Sequence, residues 1–172
     1  MPATTMQQPL DLFVYELSCM YAFEQHNVET LQALADEVTG ETARHPIVHH
    51  LKETREQLGL LEQCFDLLEV PPKKVVVHAA KGMRQDHDAF VKLDPAPALL
   101  TLYDLNAASK VEHLEVAAYR GLINQGMVTG QNEVVRLLRQ ILKQEEDAVK
   151  ELEAAAKELG AQTLPELAAT SV

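Results

Sequence analysis

The spacing of apolar residues constrains the fold of this chain more than any other feature. Between breaks at glycine and proline lie long segments rich in Ala, Leu, Glu, Gln and Lys. Their apolar residues recur at intervals of three and four positions, the periodicity of one face of an α-helix. Scarcely any segment alternates at period two, so strand content is expected to be near zero. The sequence therefore predicts an all-α protein.

Helix-breaking and capping residues divide the chain into elements. Gly40 and Gly160 are predicted to end the first and the last long helix, and Asp94 followed by Pro95 is typical of an N-cap and a first helical residue. Bundle helices are predicted at about residues 10–38, 43–69, 95–125 and 131–159, a crossover helix at about 75–91 and a short C-terminal helix at about 164–169.

The order of these helices predicts their topology. Short turns join the first pair and the second pair, which makes the members of each pair antiparallel neighbours. The long connection between the pairs is sufficient to carry the chain from one end of a bundle to the other. We therefore expect a single domain over residues 1–172, folded as a ferritin-like four-helix bundle with a long helical crossover between helices 2 and 3.

Charge and composition exclude several classes of protein. The net charge is −11, from 26 acidic and 15 basic side chains, and no Lys/Arg cluster could follow a phosphate backbone, so no nucleic-acid partner is expected. The N-terminus lacks the pattern of a signal peptide, and no run of eighteen apolar residues predicts a membrane span. Cys19 and Cys64 form no C-x-x-C motif and are interpreted as reduced packing residues. A cytoplasmic protein is expected.

Glutamates interrupt the apolar faces of the predicted helices. Glu24 and Glu145 occupy positions on the first and the last long helix where the periodicity predicts apolar residues. Glu112 and Glu115 lie three residues apart on one face of the third, and Glu53 lies on the flank of the apolar face of the second. Each could instead reach water from a boundary position.

The positions of four glutamates in the two hairpins favour an inward layer. Glu24 and Glu53 are equidistant from the first turn, and Glu112 and Glu145 are equidistant from the second, at about 22 to 25 Å in both hairpins. Buried together, these carboxylates would have to be protonated, hydrogen-bonded or bound to cations. The hypothesis is a site for two iron or manganese ions, with Glu115 as a fifth candidate ligand.

Other side chains are weaker candidates for this site. His50 lies one turn before Glu53, Gln57 one turn after it, and His113 one residue beyond Glu112. Tyr21 and Tyr119 are predicted to pack in the core near the acids, with a hydrogen bond to a carboxylate as the alternative. The crossover histidines, His78 and His87, are expected at the surface.

Four stretches resemble, in order and spacing, the bundle helices of the YciE/YciF-type ferritin-like family, bacterial proteins of unknown function. They are LFVYELSCMYAFEQ, HHLKETREQLGLLEQCFDLL, KVEHLEVAAYRGL and LLRQILKQEEDAVKEL, within about residues 8–158. The resemblance implies a dimeric, stress-associated bundle with a candidate dimetal site and no established reaction. It places the acid layer on Glu24, Glu53, Glu112 and Glu145, with Glu115 close by. The chain departs from the family pattern at Cys19, Gln57 and Val149.

Two functions are therefore expected from the sequence, and enzymatic activity stays open between them. The first is a dimetal carboxylate protein that reacts with oxygen or peroxide. The second is a metal-free dimeric structural or interaction protein whose site is degenerate, since Val149 and Gln57 offer poorer ligands than acid and histidine. A homodimer is expected from the resemblance and from the apolar stretch Val75 to Ala80.

Overall fold

The computed structural model describes residues 6–170, without the side chains of residues 166–168 and 170. This part of the chain is a ferritin-like bundle of helices without strands. Its elements are α1 (Pro9–Glu37), α2 (Glu41–Leu67), α3 (His78–Val91), α4 (Pro97–Val128) and α5 (Asn132–Thr170). The predicted fold class is confirmed, and all helix ends except the end of α5 lie within three residues of the predicted bounds.

The four long helices pack as two antiparallel pairs. In the bundle α1 contacts α2 and α4, and α5 contacts the same two helices. Side-chain contacts between α1 and α4 run in opposite chain order, because Glu16 meets Gln125 and Asn27 meets Glu115. Since α1 and α4 are antiparallel, α4 begins at the end of the bundle where α1 stops. The crossover with α3 therefore spans the bundle, and α3 packs against α1 and α4.

The start of α4 corrects one prediction. Asp94 is not the N-cap but has a positive φ of 52°, and the helix begins at Pro97 with Ala96 as its N-cap. A proline disfavours the helical region in the residue before it, and Ala96 is accordingly extended, with φ −56° and ψ 142°. The second proline of the Pro95-Ala96-Pro97 segment thus decides where α4 begins.

The end of α5 corrects the prediction that the last long helix stops at Gly160. The helix runs through Gly160 to Thr170, so the short helix predicted at residues 164–169 is the last part of α5. Gly40 and Gly130 lie in the turns between helices with φ of 88° and 75°, whereas Gly160 has no such left-handed conformation, and a Cβ atom at Gly160 would lie 3.9 Å from the side chain of Leu102. A helical glycine costs only about 1 kcal/mol relative to alanine, which packing against a neighbouring helix can offset.

Two apolar clusters and a polar layer fill the bundle interior. The first apolar cluster lies toward the α4/α5 turn, and the second toward the α1/α2 turn. Between them, every bundle helix contributes buried polar side chains, and we call these the polar layer. The first cluster includes Phe13, Leu17, Phe23, Leu61, Tyr119, Leu138 and Ile141; the second includes Leu31, Leu34, Ile47, Leu51, Leu105 and Leu152. The polar layer comprises Glu24, Asn27, His50, Thr54, Gln57, Glu112, Glu115 and Glu145.

No helix in residues 6–170 combines the length and the apolar character needed to cross a bilayer.

Candidate metal centre

The polar layer gathers acids from three helices around a histidine from the fourth. Glu24 comes from α1, His50 from α2, Glu112 and Glu115 from α4, and Glu145 from α5, and none exposes more than 1% of its surface. Apolar side chains cover the layer on both sides along the bundle axis. These groups have therefore lost their hydration and require compensation from protons, hydrogen bonds or cations.

Four of these residues form a compact group of potential metal ligands. One nitrogen of His50 and one oxygen each from Glu112, Glu115 and Glu145 lie within 4.8 Å of one another. The Nε2 atom of His50 is 2.9 Å from Glu112 Oε2 and 3.9 Å from Glu145 Oε2. Imidazole and carboxylate are the donors that iron and manganese take in proteins. This four-residue group could hold a metal ion.

Two hydrogen bonds orient the acids on the α1 side of the layer. The hydroxyl of buried Tyr119 donates to Glu24 Oε1, and Asn27 Nδ2 donates to Glu115 Oε1 at 2.7 Å. Tyr119 thus packs in the core and also binds a carboxylate. Tyr21 does not join it, because its hydroxyl donates to Glu62, outside the layer, at 2.9 Å.

Most of the remaining carboxylate oxygens lack a hydrogen-bond partner. Glu112 Oε2 forms an ion-pair contact with the His50 ring, whose Nε2 atom is 2.9 Å away. An unpaired buried acceptor costs about 1 to 3 kcal/mol, and more if it is charged. Among the described residues, the unpartnered oxygens of the layer are Glu24 Oε2, Glu112 Oε2, Glu115 Oε2, Glu145 Oε1 and Glu145 Oε2.

Burial makes three of these acids, Glu24, Glu115 and Glu145, hold protons more strongly in the absence of a cation. It raises the pKa of Glu24 to about 7, although the hydrogen bond from Tyr119 lowers it. Burial, followed by the charges of neighbouring glutamates, raises the pKa of Glu115 and of Glu145 well above the ordinary value. Burial alone would lower the pKa of His50, but the adjacent Glu112 and other acids raise it to about 10.

Of the other predicted ligands, Gln57 belongs to the layer, Glu53 lies at its rim and His113 lies outside it. Glu53 is at the rim, with 17% of its side chain exposed and Oε2 3.8 Å from His50 Nδ1. Gln57 is buried, and neither of its amide atoms has a partner among the described residues. The prediction of His113 as a ligand is wrong, because its side chain is 59% exposed and pairs with Glu153 at 3.0 Å. One residue beyond Glu112 corresponds to a rotation of about 100°, which turns His113 to the surface.

Sequence reasoning missed two residues that orient the layer. Asn27 follows Glu24 by three positions on α1, so the face on which it lies could have identified it. Thr54 follows His50 by four positions on α2; its hydroxyl donates to the His50 carbonyl at 2.9 Å and lies 3.5 Å from the ring Nε2. Both residues could have been identified as polar side chains one helical turn away from a predicted ligand.

A cavity of about 180 Å³ lies beside the layer. It opens among α1, α3 and α4, and Asn27 and Glu112 line it together with mostly apolar side chains such as Phe23, Met83 and Val111. The volume suits a small molecule. The layer therefore has an adjacent space, although its acids are almost without solvent exposure.

Comparisons with known proteins agree on one family. The sequence profile of DUF892, a domain of unknown function, matches residues 8–165. Protein YciF of Escherichia coli (strain K12) is 26% identical over 138 residues, which cover 78% of this chain and 82% of that protein.

Solved structures of similar proteins share the fold. YcfI from Rhodopseudomonas palustris is 27% identical, with a TM-score of 0.84 over 89% of this chain and 98% of that chain. The E. coli stress protein YciF is 23% identical, with a TM-score of 0.86 over 92% of this chain and 100% of that chain. A protein from Xanthomonas campestris is 21% identical, with a TM-score of 0.74 over 92% and 98%.

Proposed function

The chain belongs to the DUF892 family of YciF-type proteins, and we propose that it is a stress-associated protein that holds two iron or manganese ions in its polar layer. One observation carries this proposal: five carboxylate oxygens are buried there without a hydrogen-bond partner. Cations would compensate all five together, as in other ferritin-like carboxylate proteins. The stress association rests on the similarity to YciF, which is described as a stress protein.

The ligands are assigned from their positions. His50, Glu112, Glu115 and Glu145 would hold the ions, since their donor atoms already converge within 4.8 Å. Glu24 adds a free oxygen on the α1 side, and Glu53 adds one from the rim beside His50. Binding would require His50 to lose its ring proton and Glu115 and Glu145 to ionise, so metal affinity should rise with pH.

The chain's own residues suit a reaction with a small oxidant. When bound, iron or manganese would supply the redox chemistry toward oxygen or peroxide. Tyr119 holds a proton at its hydroxyl, directed at Glu24, and Asn27 orients Glu115 through its amide. The apolar clusters exclude water from the layer, while the cavity gives a small molecule space beside Glu112.

Metal analysis of protein purified without chelator tests the proposal. Wild type should contain two more equivalents of iron or manganese than the variant Glu112→Ala, which should keep its helicity. His113→Ala is the matched control, because His113 follows Glu112 on the same helix but its side chain is 59% exposed. It should retain the wild-type metal content. Equal metal content in wild type and Glu112→Ala would refute the dimetal centre.

A metal-free structural or interaction protein is the second candidate. It is favoured by Val149, a buried residue without a donor atom one turn after Glu145, and by Gln57, whose amide replaces a stronger ligand. In this case His50, Tyr119 and Asn27 compensate the acids without a metal. Glu145→Gln should then raise the melting temperature at neutral pH, because it removes repulsion and leaves the pair of His50 and Glu112 in place. A larger fall in melting temperature on chelation of wild type than of Glu112→Ala would contradict this candidate.

Homodimerisation in the cytoplasm completes the proposal. Val76, in the extended segment before α3, is 74% exposed, and its neighbours Val75 and Val77 are half-buried. A second copy of the chain would cover this apolar surface. A monomeric mass in light scattering, at concentrations in the tens of micromolar, would contradict the dimer.

A further inference from the structure

A second group of metal-ligating side chains lies outside the polar layer. It consists of Glu37 at the end of α1, His87 on α3 and Asp104 on α4. Asp104 precedes Glu112 by two turns on α4, so the two groups are separated by about 12 Å along that helix. The prediction that His87 is a surface residue is therefore wrong, since only 12% of its side chain is exposed.

The atoms of this group have the spacing of metal ligands. The Nε2 atom of His87 is 3.2 Å from Asp104 Oδ1 and 3.4 Å from Glu37 Oε2. Two ligands of one tetrahedral ion with bonds of about 2.05 Å are about 3.3 Å apart. One donor atom from each of the three residues lies within 4.8 Å of the others. A small movement of Glu37, whose side chain is 30% exposed, would close the site.

Asp104 is the independent evidence that this group receives a ligand. It is fully buried, and neither carboxylate oxygen has a hydrogen-bond partner among the described residues. Both ring nitrogens of His87 lack one as well, despite the proximity of Asp104. Polar atoms that are buried this deeply normally have a partner, and an ion between Asp104 and His87, whose nearest atoms are 3.2 Å apart, would supply one to both.

We propose that Glu37, His87 and Asp104 form a second metal site for a divalent transition-metal ion. One imidazole and two carboxylates with open positions suit Zn²⁺, Fe²⁺ or Mn²⁺. Asp88 would support the ligand histidine from outside, because its Oδ1 lies 3.6 Å from His87 Nδ1. This site is independent of the dimetal centre proposed above.

The ion would fasten the crossover helix to the bundle. Ala80 is the one buried residue of α3, so apolar packing holds this helix weakly. The three ligands come from α1, α3 and α4, and an ion bound to them would join all three helices. Because α3 also forms a wall of the cavity through Met83 and His87, the ion would hold that wall in place.

Cobalt binding to the full-length protein tests the second site separately from the first. In the background Glu112→Gln/Glu145→Gln, which removes two ligands of the polar layer, one equivalent of Co²⁺ should still bind and show the visible absorption of a coordinated ion. Adding His87→Ala should abolish it. Adding His78→Ala, an exposed histidine on the same helix, should leave it unchanged. If the background binds no Co²⁺, or if His87→Ala retains the equivalent, the site is refuted.

Conservative variants keep the test valid if His87→Ala unfolds. His87→Gln and Glu37→Gln in the same background should keep wild-type helicity and weaken Co²⁺ binding at least about tenfold, the lower limit for changes that act only through an outer partner. Unweakened binding would overturn the proposal. Failure of the dimetal centre has a different result: wild type and the Glu112→Gln/Glu145→Gln background would then bind the same number of Co²⁺ ions.

Hydrogen exchange tests the structural role of the ion. In the Glu112→Gln/Glu145→Gln background, Zn²⁺ should slow amide exchange in residues 78–91, and His87→Ala should remove this protection. Equal exchange rates with and without Zn²⁺ would show that no ion fastens α3.

Discussion

The apolar clusters and the polar layer occupy the same bundle interior but contribute to stability with opposite sign. In the clusters, burial of Phe13, Leu61 and their neighbours removes apolar surface from water and stabilises the fold. In the layer, burial of Glu24, Glu115 and Glu145 raises their pKa values, which means that the folded protein disfavours their charged forms. The difference shows which part of the interior maintains the fold and which part is retained at a cost in stability.

The largest expected effect comes from the first apolar cluster. Phe13 is completely buried, so Phe13→Ala should lower the free energy of unfolding by about 3 to 5 kcal/mol through lost burial and a residual cavity. Urea denaturation followed by circular dichroism measures this. Leu12→Ala, at a neighbouring position that is 43% exposed, is the control and should change stability much less. Equal losses in both variants would contradict the assignment of Phe13 to the core.

A smaller effect, opposite in sign, is expected in the polar layer. In protein treated with chelator, Glu145→Gln should raise the free energy of unfolding at pH 7, because it removes a group whose charged form the folded protein disfavours. The expected size is on the order of the 1 to 4 kcal/mol gained when a buried ion pair is replaced by uncharged residues of similar volume. A glutamine can also donate to the unpartnered oxygen of Glu112. Glu146→Gln is the matched control, since Glu146 pairs with Arg120 at the surface. If Glu145→Gln destabilises the metal-free protein, the polar layer and the apolar clusters do not contribute to stability with opposite sign.

A substitution that adds volume to the bundle interior tests how tightly the apolar clusters are packed. A Cβ atom at Gly126 would lie 2.6 Å from Val135 Cγ2, where α4 packs against α5. Gly126→Ala should therefore cost about 1 to 3 kcal/mol, despite the better helix propensity of alanine. Gly121→Ala is the control, because a Cβ there meets no atom within 4 Å, and it should be neutral or stabilising. Thermal denaturation of both variants compares the two positions.

The smallest effect is the pH dependence of the metal-free protein. The folded pKa values of Glu24, Glu115 and Glu145 are raised, that of Glu24 to about 7, so the stability that these acids contribute is present below the unfolded pKa of about 4.3. It is lost as pH rises through the folded pKa. His50, whose pKa is raised to about 10, acts in the same direction at higher pH, because its contribution is lost between about pH 6.5 and 10. Stability should thus fall between about pH 5 and 7, by at most about 1.4 kcal/mol per pH unit for one proton.

Urea midpoints at several pH values measure this dependence. Glu145→Gln should flatten the profile, because it removes one of the groups with a raised pKa. A free energy of unfolding that rises from pH 5 to 7 in the presence of chelator would contradict the prediction that the folded layer binds more protons than the unfolded chain.

Much of the candidate site was predictable because helical periodicity assigns residues to faces. Glu24, Glu112, Glu115 and Glu145 were found as acids on predicted apolar faces, and each is buried. His50 was ranked below Glu53, but it lies in the ligand group, while Glu53 lies at the rim. The two residues lie one turn apart on α2, and the rotation of this helix and the length of each side chain decide which of them reaches the ligand group. Apolar periodicity does not determine either.

The second metal-ligating group was not predictable in the same way. Glu37, His87 and Asp104 lie on three helices, and no spacing within the sequence relates them. His87 is on a short amphipathic helix, for which a surface position is the ordinary expectation. Only the packing of α3 against α1 and α4 brings its ring to Asp104.

By itself the sequence determined the all-α class, the order of the helices and the acids of the polar layer, because each depends on local periodicity, on glycine and proline, or on matched distance from a turn. Tertiary structure decided the continuation of α5 beyond Gly160, the exposure of His113, the inward position of His50 and the meeting of α3 with Asp104. These depend on contacts between helices that are distant in the chain, and interhelical packing can override a local preference of about 1 kcal/mol.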